Sequence, residues 1–153
     1  MNATTLQPVK PQPRTEVTGR VLIVDDHPHA RESIAYVLGQ AGHRVDCVSS
    51  AVEALHLLEG ESFDVVVTDL QMPGMSGLEL IQQLQRRPHG AQIVMVTAHA
   101  TISSAVNAIR HGAFDYIEKP FEADQLEQLI CKCLCRNSSL IYHAMLVKRN
   151  LDS

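Results

Sequence analysis

The chain has 153 residues, 45% of them apolar and 20% charged, with a formal net charge of −4, which suits one domain with a tail and is too short for two. The mild negative balance argues against a general nucleic-acid or membrane-surface binder. Short apolar runs such as VLIV argue against a bilayer span, which needs about 20 residues.

Residues 1–19 carry three prolines among polar residues and no apolar stretch of the signal-peptide kind, so they are expected to form a flexible arm. Without an export signal a cytoplasmic location with reduced thiols is expected. Residues 20–135 then alternate short apolar runs with longer amphipathic stretches. The first run, VLIV (21–24), ends in Asp25-Asp26, and Pro28 suits the first turn of a helix. RVDCV (44–48) is the second strand, and Ser50 with Glu53 forms an S-x-x-E capping box for the second helix. DVVVT (64–68) leads into Asp69, and Ser76 with Glu79 repeats the box for the third helix. QIVMV (92–96) leads into Thr97, and DYIE (115–118) into Lys119. Gly42, Gly60, Gly90 and Gly112 lie where helices one to four should stop, as left-handed residues that relieve a last turn.

Five β-α units of this length predict an α/β fold: a doubly wound, five-stranded parallel sheet with helices on both faces. Functional groups in such sheets gather beyond the carboxyl ends of the strands, where the strand order reverses. In the order 2-1-3-4-5, Asp25, Asp26 and Asp69 converge on one crevice. Three carboxylates together demand a cation. Oxygen ligands favour a hard divalent ion, Mg²⁺ in particular. Lys119 approaches from the fifth strand and is the only lysine between Lys10 and Lys132.

Asp25-Asp26, Asp69 followed after Leu70-Gln71 by MPGMSG, Thr97-Ala98 and Lys119-Pro120-Phe121, in this order, resemble the receiver domain of two-component response regulators over residues 20 to about 134. The resemblance implies that Asp69 accepts a phosphoryl group from the phosphohistidine of a sensor histidine kinase or phosphotransfer protein. Asp25, Asp26, Asp69 and the backbone carbonyl of Gln71 would hold Mg²⁺; Lys119 and Thr97 would bind phosphoryl oxygens. It further implies that Thr97 and Tyr116 couple the site to the surface of helix four, strand five and helix five. Gln71 and His99 would tune attack of water on the acyl phosphate, and Lys119-Pro120 would be cis. GAFDYIEKPFEADQLEQLI is most like receivers attached to σ54-type ATPase activators.

Each residue also has an ordinary reading. Asp25-Asp26 could cap a helix, Asp69 open a turn, Thr97 bond its own backbone and Lys119 be solvated. A haloacid-dehalogenase-type phosphatase would need D-x-D, and Asp69 is followed by Leu70-Gln71. A nucleotide fold would need a glycine-rich loop where this chain has DDHPHA. A receiver used only for contacts conflicts with the intact acceptor set. His27, His29 and His111 are expected to be exposed. Cys131, Cys133 and Cys135 in C-x-C-x-C lack a second ligand cluster, which favours packing over zinc. Residues 136–153 read as a helical extension or linker. The spacing of Leu126, Ile130, Cys133, Asn137, Leu140, Ala144, Val147 and Leu151 fits the seam of a homodimeric coiled coil.

Overall fold

The computed structural model describes residues 17–87 and 89–136. Five strands, β1 (Arg20–Val24), β2 (Arg44–Val48), β3 (Val65–Asp69), β4 (Gln92–Thr97) and β5 (Asp115–Glu118), alternate with α1 (Pro28–Gln40), α2 (Ala51–Gly60), α3 (Gly77–Gln85) and α4 (Ile102–Arg110). Residues 123–136 form a further helix, α5. The sheet is parallel throughout, in the order β2-β1-β3-β4-β5. Both the fold class and the strand order agree with the sequence reading.

Strand pleating divides the core in two. Leu22 and Val24 of β1, Val66 of β3, and Ile93 and Met95 of β4 pack with Ala51, Ala54, Leu80, Ile81, Leu84 and Ala108 of α2, α3 and α4. The alternate residues, Val21, Ile23, Val65, Val67, Val94 and Val96, pack with Ile34 and Leu38 of α1 and with Leu126, Ile130 and Cys133 of α5. Central strands buried on both faces explain why VLIV and DVVV read as unbroken apolar runs. Fully burying one such aliphatic side chain is worth about 1.5–3 kcal/mol, so the two layers hold the strand ends rigidly.

Local details correct parts of the reading. The strands at Asp69 and Thr97 run one residue further than expected, so both groups lie on the last strand residue rather than beyond it. Ser76 and Glu79 form the full reciprocal box. Ser50 accepts from the Glu53 amide, but the Glu53 carboxylate bonds the amide and hydroxyl of Ser49 instead. Gly60 does not take the left-handed conformation that Gly42, Gly90 and Gly112 take. The chain leaves α2 extended at Glu61, whose carboxylate is held by Arg20 at 2.8 Å.

Leu126, Ile130 and Cys133, the first three positions of the expected dimer seam, are fully buried in the chain's own core. The remaining seam positions, Asn137 to Leu151, lie outside the described residues, as does the arm over 1–16. Cys133 packs as expected, with burial and the neighbouring Asp115 pushing its thiol up to about 12. Cys47, in contrast, is exposed on the edge strand β2.

Candidate phosphoacceptor site

The strand order places the ends of β1 and β3 side by side, with Asp25 just after Val24 and Asp69 closing β3. Asp25 is 1% exposed and Asp69 7%. A carboxylate that deep needs partners. The Asp25 amide continues the β1–β2 ladder by donating to the Val48 carbonyl at 3.2 Å. One carboxylate oxygen of Asp25, Oδ1, accepts the His27 amide at 2.9 Å, so Asp25 takes the role a capping side chain would play at α1, whose N-cap residue His27 makes no cap bond. Its other oxygen, Oδ2, accepts from Lys119 Nζ at 3.0 Å. The ordinary capping reading of the aspartate pair and the functional one therefore share the same residue.

Lys119 reaches Asp69 as well, with Nζ 3.5 Å from Oδ2. The Lys119-Pro120 bond is cis, as the resemblance implied. The Lys119 amide donates to the Thr97 carbonyl at 2.9 Å, which ties the end of β5 to the end of β4. Thr97 is buried, and its hydroxyl accepts the His99 amide at 3.2 Å. Asp69 Oδ1 accepts the Gln71 amide at 3.3 Å, which sets the Gln71 backbone against the Asp69 carboxylate while its side chain is exposed. Tyr116 is exposed on β5, as are Ile102, Val106 and Ile109 on α4.

Ligand atoms of Asp25, Asp26, His27 and Asp69 all lie within 4.8 Å of one another, the one such group of potential metal donors among the described residues. Asp26 Oδ1 is buried with no hydrogen-bond partner. His27 Nδ1 stands 3.2 Å from it, close enough for an ion pair but outside hydrogen-bond geometry. Three carboxylates against one ammonium leave two negative charges, and a divalent cation fits that balance and the mainly oxygen donor set.

Sequence reasoning missed three contributors. His27 was grouped with exposed histidines, and its ring is 68% exposed, yet it borders the acidic pocket. Arg31 Nη1 donates to the Asp25 carbonyl at 2.7 Å, a contact that only the first turns of α1 create. Gly77 packs so tightly that an added Cβ would run into the Asp69 carbonyl oxygen, with the Asp69 carbonyl carbon at 2.9 Å and Leu70 Cα at 3.0 Å. A basic residue in the first turns of a helix, against the macrodipole, and a glycine at a helix start were the only signals available.

The family model for the response regulator receiver domain matches residues 21–131. The chain belongs to the response regulator receiver family. Among curated proteins, this receiver is 36% identical over 115 residues to the response regulator protein PilR of Pseudomonas aeruginosa, covering 75% of this chain and 26% of that protein. It is 37% identical over 112 residues to the transcriptional regulatory protein FixJ of Bradyrhizobium diazoefficiens, covering 73% of this chain and 55% of that one. The chain thus spans about a quarter to a half of the length of these relatives. Among solved structures, NtrX from Brucella abortus superposes with a TM-score of 0.81 at 31% identity, over 86% of this chain and 31% of its own. The receiver domain of a LuxO repressor protein from Vibrio parahaemolyticus gives 0.78 at 26% identity, over 82% and 96%.

Proposed function

We propose that this receiver takes a phosphoryl group onto Asp69 from the phosphohistidine of a sensor histidine kinase or phosphotransfer protein, catalysing its own phosphorylation and dephosphorylation. The observation that carries the reading is Lys119 Nζ, held between Asp25 at 3.0 Å and Asp69 at 3.5 Å over a pocket two charges short of neutral. Phosphoryl transfer asks a protein mainly for positioning and for cations where charge spreads over the phosphoryl oxygens. Asp25, Asp26, Asp69 and the Gln71 carbonyl are the groups that would hold Mg²⁺, which when bound neutralises that charge. Asp69 supplies the attacking oxygen, Lys119 pairs with one phosphoryl oxygen and Thr97 donates to another. Gln71, whose amide bonds Asp69, and His99, whose amide bonds Thr97, would set the access of water to the acyl phosphate.

The Thr97 hydroxyl accepts the His99 amide and keeps its own proton to donate to a phosphoryl oxygen, and the Thr97 backbone is bonded to Lys119 at the end of β5. We infer that movement of Thr97 toward a phosphoryl group moves Tyr116 and shifts the population of the α4, β5 and α5 surface, which controls an output domain or partner. A transcription-regulating output, of the σ54-activator kind that residues 112–130 resemble, accords with FixJ being a transcriptional regulator. This chain itself contacts no nucleic acid in that scheme. Its cytoplasmic place accords with the absence, among the described residues, of a helix long and apolar enough to cross a membrane. The working unit would be residues 20–135, flanked by an arm (1–19) and a helical extension or linker (136–153).

Acetyl phosphate with Mg²⁺ should raise the intact mass by one phosphoryl group, and Asp69→Asn should abolish the increase. Equal labelling of that variant would refute the site assignment. On adding beryllofluoride, amide NMR shifts should extend through residues 97–125. Shifts confined to the neighbourhood of Asp25 and Asp69 would remove the switch.

A further inference from the structure

We propose that His27 is a nitrogen donor to the acidic pocket and makes it discriminate among divalent ions, favouring Mn²⁺, Co²⁺ and Ni²⁺ over Mg²⁺ relative to a pocket of oxygen donors alone. The inference rests on the divalent-ion reading above.

His27 is placed for this role by its neighbours. Pro28 opens α1 directly behind it and its backbone is extended, at φ −91° and ψ 114°. Its amide is spent on Asp25 Oδ1, while its ring makes no capping bond. Nδ1 stands 3.2 Å from Asp26 Oδ1 and 3.4 Å from Asp25 Oδ1. Adjacent donors on an octahedral ion with bonds of about 2.1 Å are separated by roughly 3.0 Å, the edge of the octahedron. The spacing of His27 from both carboxylates is near that value. Asp26 Oδ1 is buried and accepts no hydrogen bond even with the ring nitrogen so close, so its lone pairs are open to a cation, as is that of Nδ1 in the tautomer protonated at Nε2.

Lys119 occupies the opposite side of Asp25, at Oδ2, and leaves the Oδ1 edge to His27. The ring is largely exposed, so small adjustments cost little packing. An imidazole donor contributes progressively more from Mn²⁺ through Co²⁺ to Ni²⁺, least at Mn²⁺, whereas Mg²⁺ takes oxygen ligands and retains waters. The nitrogen therefore changes the ranking of ions more than the affinity for Mg²⁺.

Calorimetric titration of the full chain and of His27→Ala with MgCl₂ and NiCl₂ tests the idea. Loss of the ring should weaken Mg²⁺ by less than about threefold and Ni²⁺ by about tenfold or more. Pulsed EPR of the Mn²⁺-loaded chain should show ¹⁴N modulation from one imidazole, absent in His27→Ala and displaced by excess Mg²⁺. Equal Ni²⁺ affinity in the two proteins, or a missing ¹⁴N signal while Mg²⁺ binds normally, would each overturn it. Failure of the parent to bind Mg²⁺, with Asp26→Asn without effect, would instead bring down the divalent-ion reading and this proposal with it.

Discussion

Gly77→Ala should destabilise this protein although alanine is the better helix former. Gly77 is the first residue of α3, and alanine in a helix is ordinarily favoured by up to about 1 kcal/mol over glycine. Against that stands the Asp69–Leu70 backbone. The three atoms nearest an added Cβ are all main-chain, so no side chain can rotate away. The Gly77 amide also donates to the Leu70 carbonyl at 2.9 Å, which holds α3 in place. Overpacking costs about 1–3 kcal/mol, and an unyielding neighbour puts this case near the upper end. The net expectation is a loss of about 2 kcal/mol, or a fall in Tm of roughly 6–8 °C for a domain of this size. Because the atom displaced first is the Asp69 carbonyl, labelling by acetyl phosphate should slow as well. Gly39→Ala is the matched control: it lies inside α1 with nothing within 4 Å of an added Cβ, and should stabilise by about 0.5–1 kcal/mol. Urea denaturation of the three proteins decides between the terms. A Gly77→Ala chain as stable as its parent would refute the steric argument.

Stability should also fall below about pH 6.5 through His43 and His89, each of which accepts a backbone amide at Nδ1, from Gly19 at 3.2 Å and from Ala91 at 3.0 Å. Burial lowers both below the ordinary 6.5, partly opposed at His43 by Glu127. The unfolded chain thus binds protons first, and stability present above that value is lost as pH drops below it. His43→Asn, which keeps an acceptor and removes the titration, should lose less stability between pH 7.5 and 5.5 than the parent; an identical loss would clear His43. Separately, a homodimer formed through positions Asn137 to Leu151 predicts that ending the chain after Arg136 halves the mass in sedimentation equilibrium, and an unchanged mass would remove the tail as the pairing element.

The strand ends were legible because burial and chemistry impose opposite demands within a few residues. VLIV, VVVT and VMVT must be apolar to fill a sheet covered on both faces, so a carboxylate, hydroxyl or ammonium at their ends stands out against the run before it. Contacts made across the top of the sheet were less visible. The Arg31 bond to the Asp25 carbonyl depends on the turn of α1, and the closeness of Gly77 to Asp69 depends on how α3 is docked. The Thr101 and Ser104 side chains cap each other's backbone amides at α4, with serine where a glutamate or glutamine marks the usual box. The α4 surface is therefore framed by a helix start that the S-x-x-E pattern alone passes over.

The last helix shows why periodicity can identify a face without identifying its partner. Leu126, Ile130 and Cys133 follow the four-three spacing of a coiled-coil seam, and the same spacing describes the apolar stripe of any helix lying on a sheet. What decides between them is the area each partner offers. The face of the sheet formed by Val21, Ile23, Val65, Val67, Val94 and Val96 is covered on one side by Ile34 and Leu38 of α1, and α5 supplies the rest. Were the stripe turned toward a second chain, those valines would face water at about 25 cal/mol per Å² of apolar surface. Leu129 and Leu134, off the strict seam but buried beside it, widen the apolar stripe beyond the two positions per heptad of a seam. A broad stripe points to a sheet, and a narrow one to a helix partner, so pairing of two chains along this spacing must begin beyond the residues that close this core.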